Sequence, residues 1–219
     1  MGIDLEHSTI ELSTAQMIIR VCHEYARPCL PRIFPDDLEQ ARRLLDAGAD
    51  GLIAPQVSAR EQIDAIVEVM RYPPVGKRGF GVAAAHEYGR RFEEYVQAAN
   101  ESLSLMIQVE TMAGVENIES LASHPGVDAI MVGPYDLSGS LGIPGRLRDR
   151  RVVDACNTIT QACKRHGVSC GMHLVYPDRE EMHRHFAQGF TFLILGSDIF
   201  NLHKRSEEID QMIDDLGNS

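Results

Sequence analysis

The sequence is short of positive charge. Lysine and arginine together number 21 against 32 acids, for a formal net charge of −11. That balance argues against nucleic acid or an anionic membrane as the main partner, because the overall field repels both. It leaves open a small anionic ligand, for which local charge decides. Long apolar runs are missing as well, none approaching the roughly 20 residues that span a bilayer. The opening MGIDLEHSTIEL has neither the basic nor the apolar region of a secretory leader. Cysteine is sparse, with five residues and no CxxC pair. Without a secretory context these thiols are expected to be reduced, in a cytoplasmic protein. Cys156, Cys163 and Cys170 read as small buried hydrophobes. The phosphate fingerprint GxGxxG is also absent. GFGVAA fails it at the last glycine and does not follow a strand directly.

What is present is a repeated unit, in which a helix-like segment ends at glycine and an apolar strand follows. Gly48 precedes DGLIAP, Gly126 precedes VDAIMV, Gly167 precedes SCGMHLV and Gly189 precedes FTFLILG. Glycine at a helix C-terminus accepts the left-handed conformation that closes the helix. The strands are nearly continuous apolar runs, as in a parallel sheet covered on both faces. Between them lie amphipathic segments such as DLEQARRLLDA and RRVVDACNTITQACKRH, with Asp36, Ser58 and Asp178 as expected N-caps. The Gly-rich stretch 73–89 reads as a long loop, of a kind that often carries function.

Seven strands can be counted: GIDLE, CLPRI, GLIAP, LSLMIQV, VDAIMV, CGMHLV and FLILG. Alternation with helices predicts an α/β fold. The expected architecture is a (β/α)8 TIM-type barrel lacking its first strand and helix at the N-terminus, since a closed barrel needs eight strands. Residues 1–219 are expected to form this single domain. Residues 199–219 would supply one or two terminal helices for packing or subunit contact.

In such barrels the chemistry sits at the C-terminal ends of the strands. Those ends carry Glu6 and His7, Arg32, Gln56, Gln108 and Glu110, the run Gly133–Asp136, and His173. Glu110 and Asp136 are hard oxygen donors that suit Mg²⁺ or Mn²⁺. As plain structural residues they would cap the turns that follow. Arg32 is either a surface ion pair or a fixed guanidinium for a developing oxyanion. His7 and His173 read first as structural histidines. No lysine stands at a strand end, which counts against Schiff-base chemistry.

Taken in order, IDLEHS, LPRI, LLDAGADGLIAPQV, RYPPVGKRGFG, IQVET and VGPYDLSGSLG resemble the HpcH/HpaI aldolase family of metal-dependent 2-oxo-acid aldolases, related to the citrate lyase β-subunit. The resemblance implies aldol cleavage or condensation of a 4-hydroxy-2-oxo acid, giving pyruvate or a related 2-oxo acid plus an aldehyde. It implies Glu110 and Asp136 as ligands of Mg²⁺ or Mn²⁺, with Co²⁺ a further fit. Arg32 would stabilise the enolate. His7, paired with Asp46, would move the proton of the C4 hydroxyl. Gln108 would line the metal site, and backbone N–H groups around Gly133, Pro134 and Tyr135 would bind the substrate carboxylate. Tyr135 and His173 depart from the family pattern, and His173 would touch a hydroxylated aldehyde. A homo-oligomer, trimer or hexamer, is implied too. Alternatives left open are a citryl- or malyl-CoA-type lyase on the same fold and an inactive, N-terminally short relative.

Overall fold

A computed structural model describes residues 1–217. Seven parallel strands form one sheet in the order β1 to β7. They are β1 (Gly2–Asp4), β2 (Leu30–Arg32), β3 (Gly51–Ala54), β4 (Ser104–Val109), β5 (Ala129–Val132), β6 (Ser169–Leu174) and β7 (Phe192–Leu195). Every strand read from the sequence is present. Each pairs only with its neighbours in sequence, and among the described residues no ladder joins β7 to β1. Strictly parallel neighbours require crossovers, and the helices supply them.

The crossover helices are α1 (Leu12–Glu24), α2 (Leu38–Asp46), α3 (Arg60–Met70), α4 (Phe92–Ser102), α5 (Met112–Glu116), α6 (Ile118–Ala122), α7 (Pro134–Ser140), α8 (Arg150–His166) and α9 (Arg179–Ala187). The last helix, α10 (Asp198–Gly217), covers the expected terminal segment as a single helix, and residues 218 and 219 lie outside the described residues. Leu105, Ile107 and Val109 of β4 and Ile130 of β5 are fully enclosed, under Ala41, Leu44, Ile63, Leu121 and Ile159 from the helices. Burying such side chains removes about 25 cal/mol per Å² of apolar area from water and is the main drive to this arrangement. Among the described residues no helix is long and apolar enough to cross a membrane.

Some local expectations are corrected. Gly48, Gly167 and Gly189 do take positive φ, at 107°, 70° and 99°. Gly126 does not, because α6 ends earlier, at Ala122, and a type of turn through Ser123 and His124 carries the chain to β5. Asp178 caps α9 through the Glu181 N–H at 2.8 Å. Asp37 rather than Asp36 caps α2, and Ser58 yields the start of α3 to Gln62, whose side chain accepts from the N–H groups of Ser58 and Ala59.

The long stretch 73–89 holds a 3₁₀ segment (Ala84–Gly89) and leads into α4, which periodicity had not revealed. It runs from the end of α3 to the start of β4, so it lies on the N-terminal side of the sheet. Arg78 anchors it. Its side chain is 1% exposed, donates to Asp46 Oδ1 at 2.8 Å, and packs 4.8 and 5.4 Å from the ring centroids of Tyr72 and Tyr95. The function expected of this loop has no support at the strand ends where the other polar groups gather.

Candidate active site

At the C-terminal ends of β1 to β5 a connected polar layer closes the core. It begins with strand pairing, which sets Asp4 of β1 directly beside Arg32 of β2. The Arg32 guanidinium donates from Nε and Nη2 to the two carboxylate oxygens of Asp4, at 3.0 and 2.6 Å. Its Nη1 reaches Gln108 Oε1 at 3.3 Å and Glu6 Oε2 at 3.3 Å. Gln108, buried on β4, in turn donates from Nε2 to Glu110 Oε2. One arginine therefore fixes an amide, and the amide fixes the next acid. Bidentate pairing of this kind holds the planar fork in one orientation.

Glu110 is 4% exposed. Its Oε1 accepts from the Gln56 N–H at 2.8 Å. Gln56 follows β3 and adopts φ of 54°, a left-handed turn that aims this N–H inward. Burial pushes the Glu110 carboxyl up to about 7; the Gln56 bond opposes this, while the charges of Asp136 and Glu6 add to it. Burial also works against the charges of Asp4 and Arg32, but their mutual hydrogen bonds outweigh it. Asp4 is held below the usual carboxylate range and Arg32 above the usual guanidinium range.

Asp136 stands in the first turn of α7, solvent-exposed and close enough to Glu110 to shift it. The turn depends on Gly133. A Cβ there would lie 2.6 Å from Glu110 Oε2, 2.7 Å from Glu110 Cβ and 3.0 Å from Gln108 Nε2. The Gly133 N–H is already engaged by Val109 O at 3.2 Å, and Pro134 has none to give. Of the three residues expected to bind a carboxylate through the backbone, only Tyr135 retains an N–H for it.

Glu6 was read as a strand end only, and the structure gives it a larger part. Its Oε1 accepts from Gln56 Nε2 at 3.2 Å, while its buried Oε2 has no hydrogen-bond donor. Gln56 too is a named strand end with no role assigned, and Asp4 is not singled out by the sequence. An acid inside the apolar run GIDLE was the available signal for Asp4. Gln56 reaches Glu6 with its side chain but Glu110 with its backbone N–H, and the latter leaves no trace in residue type.

The expected pairing of His7 with Asp46 is not found within this chain. His7, whose side chain is 70% exposed, lies 3.8 Å from Glu6, not beside Asp46. Asp46 ends α2 on the opposite face of the sheet, where it is paired with Arg78. His173 on β6 donates from Nε2 to Gly196 O at 3.0 Å, a strand-end contact to the β7 exit. Among the described residues no three His, Cys, Asp or Glu side chains form a ready-made metal cage. Two carboxylates, Glu110 and Asp136, with Glu6 nearby, still fit an ion that keeps most of its shell for water and ligand, as Mg²⁺ does.

Residues 2–204 match the family described as HpcH/HpaI aldolase/citrate lyase. The hydroxypyruvate/pyruvate aldolase of Chromohalobacter salexigens is 35% identical over 210 residues, which is 94% of this chain and 81% of that protein. The 4-hydroxy-2-oxovalerate aldolase of Rhodococcus jostii is 31% identical over 209 residues, 94% of this chain and 80% of that protein. The crystal structure of an HpcH/HpaI aldolase from Desulfitobacterium hafniense superposes with a TM-score of 0.90 at 30% identity, covering 97% of this chain and 82% of that one.

Two outcomes follow from this geometry. With divalent cations chelated, the folded-state value of Glu110 lies above its ordinary 4.5. Its contribution to stability is therefore full below that range and is lost as pH rises through about 7. Thermal melts between pH 5 and 8 should show a decline that Glu110→Gln flattens, by up to about 3 kcal/mol at about 1.4 kcal/mol per pH unit. A melt curve of equal slope in the variant would contradict it. Second, Gly133→Ala should push the Glu110 carboxylate aside and weaken Mn²⁺ binding about 10–100-fold in a paramagnetic titration. Gly139→Ala, with open space at its Cβ, should leave binding unchanged.

Proposed function

The chain belongs to the HpcH/HpaI aldolase/citrate lyase family, and on that premise we propose that it is a carbon–carbon lyase cleaving a 4-hydroxy-2-oxo acid to pyruvate, or a related 2-oxo acid, and an aldehyde. The observation that supports this best is one buried carboxylate. Glu110 is gripped at both oxygens by neutral donors and crowded by Asp136 and Glu6. A divalent cation shared by Glu110 and Asp136 would relieve that crowding. When bound, Mg²⁺ or Mn²⁺ (Co²⁺ also suits oxygen donors) supplies Lewis acidity toward the 2-oxo oxygen.

The remaining work falls to the chain's own side chains. Cleavage of C3–C4 leaves negative charge on the enolate oxygen, and Arg32, locked by Asp4, presents a fixed positive charge for it. The N–H of Tyr135 in the first turn of α7 binds the substrate carboxylate. His7, at the open end of β1, takes the C4 hydroxyl proton. In this chain Glu6 rather than Asp46 stands beside it, 3.8 Å from Nε2. Gln108 keeps Arg32 and Glu110 in register.

The architecture belongs to the same reading. Seven sequential parallel strands correspond to seven staves of a (β/α)8 barrel, with the whole chain as one domain. The exposed Ile199, Leu202, Ile209 and Ile213 of α10 suit a contact between copies in a homo-oligomer. A 2-oxo acid and an aldehyde are the partners, and neither nucleic acid nor membrane is.

Chelation should abolish pyruvate release from 4-hydroxy-2-oxo acids, and added Mn²⁺ or Mg²⁺ should restore it; turnover that persists in excess chelator removes the metal from the mechanism. Arg32→Ala should lower kcat about 10²–10³-fold, the usual loss for one oxyanion-stabilising donor. Mn²⁺ affinity in that variant should stay within a few-fold of the parent. Retained turnover would show that Arg32 is not the enolate's partner.

A further inference from the structure

The aldolase reading leaves one proton unassigned. When C3–C4 breaks, the enolate carbon C3 must gain a proton before pyruvate can form, and in condensation it must lose one. His7 serves the C4 hydroxyl and Arg32 the enolate oxygen. A further acid–base group is needed beside them.

The polar layer offers one oxygen for this task. Both oxygens of Asp4 receive Arg32. Both oxygens of Glu110 receive N–H donors, from Gln56 and Gln108. Glu110 and Asp136 are also assigned to the cation. Glu6 differs. Its side chain is 5% exposed, yet Oε2 has no hydrogen-bond donor. Among the described residues the only other buried side-chain atom in that state is Nε of Arg78, which belongs to the anchor around Asp46. A buried carboxylate oxygen left without a donor is costly, and its retention calls for a function.

The placement of this oxygen is fixed from below. Asp4 Oδ1 accepts the N–H groups of Glu6 and His7 at 3.0 and 3.2 Å, which pins the chain just past β1. Gln56 Nε2 holds Glu6 Oε1 at 3.2 Å. The free Oε2 lies 3.3 Å from Arg32 Nη1 and 3.8 Å from His7 Nε2. Nε and Nη2 of Arg32 are locked on Asp4 at 3.0 and 2.6 Å, whereas Nη1 has only a long contact, 3.3 Å, to Gln108 Oε1. Nη1 is thus the nitrogen with hydrogen-bonding capacity to spare for an enolate oxygen, and Glu6 Oε2 flanks it.

We propose that Glu6 is the catalytic acid and base at C3. The inference rests on the aldolase reading and supplies the proton which that reading leaves open. An enolate oxygen held by Nη1 brings C3, two bonds away, within reach of Oε2. In cleavage the C4 hydroxyl gives its proton to His7. The C3–C4 electron pair moves into the C2–C3 bond, C4 and its oxygen become the aldehyde carbonyl, and the 2-oxo oxygen takes up the negative charge. Protonated Glu6 then gives its proton to C3, and the enolate returns to the carbonyl form. His7, now holding the hydroxyl proton, passes it to Glu6 Oε2, and both groups are reset. Condensation runs the same steps backwards. Oε2 is closed to water in the free chain, so a proton on it reaches solvent through His7, whose side chain is 70% exposed.

The test uses the full chain with Mn²⁺ and two variants. Glu6→Gln keeps an oxygen for Gln56 but has no proton to exchange, and Glu6→Asp keeps the carboxylate but draws it back from C3. Exchange of the pyruvate methyl protons with D₂O, followed by NMR, should fall about 10²–10⁴-fold in Glu6→Gln, the usual worth of a general acid or base. Glu6→Asp should lie between this variant and the parent. Oxalate, a planar dianion that imitates the enolate and takes no proton, should bind both variants within a few-fold of the parent by calorimetry, which also shows that they are folded. Exchange at the parent rate in Glu6→Gln overturns the inference. So does a loss of oxalate affinity as large as the loss of exchange in both variants, which would mean that Glu6 only holds Arg32 in place. Exchange in the parent chain checks the aldolase reading separately. Where the parent exchanges and the variants match it, only the role of Glu6 falls; where the parent does not exchange, the aldolase reading and this inference fall together.

Discussion

The guanidinium of Arg32 is the constraint on which the site depends. It sits among Asp4, Glu6 and Gln108, and through Gln108 it reaches Glu110. Acids gathered this closely would repel one another and shed charge by taking up protons. A single cation at their centre lets Asp4 stay ionised, while Glu110, one amide further away, remains poised near neutrality. A lysine could not take this place. Its point charge lacks the fork that binds both Asp4 oxygens and keeps a third nitrogen for Gln108. Charge is thereby graded across the layer, from the firm ion pair at β1 and β2 to the yielding carboxyl at the end of β4.

The two faces of the sheet divide the polar groups. The C-terminal ends of the strands hold the acids, Arg32 and the glycine-dependent start of α7. On the other face Arg78 gathers Asp46, Tyr72 and Tyr95 into a buried anchor. Each is an arginine paired with an acid, Arg78 buried and Arg32 partly exposed, and they differ in what lies next to them. Arg32 continues into further titratable groups, whereas Arg78 continues into aromatic rings and the core. Only the first arrangement leaves charge unsatisfied where a small molecule can reach.

The sheet was legible because parallel strands buried on both sides write themselves as apolar runs, and all seven runs are strands. Helix α4 was not legible. Its segment, FEEYVQAANES, follows directly on a glycine-rich stretch whose composition speaks for a loop. Glu110, Asp136, Arg32 and Gln108 stood out as polar residues closing apolar runs, and the fold places them in one layer. The partners that make them work stood out less. Asp4 counted as part of a strand, and Gln56 contributes through a backbone N–H. The pairing of His7 with Asp46 came from resemblance to a family, and a resemblance carries residue types without saying which face of the sheet each one occupies.

Strand order equal to chain order has a consequence for how the molecule is made. Each new strand needs only the one before it, so the sheet can grow at its edge while the remainder of the chain is still being synthesised. The separations between paired residues run from 21, between Gly171 and Phe192, to 53, between Gly51 and Ser104. Closure entropy grows only with the logarithm of that distance, so the slowest addition costs about 0.8 kcal/mol more than the quickest. The costliest closure is thus the one that sets β4, and with it Glu110, beside β3; the next, which leads to α7 and Asp136, spans only the 23 residues between Met106 and Ala129.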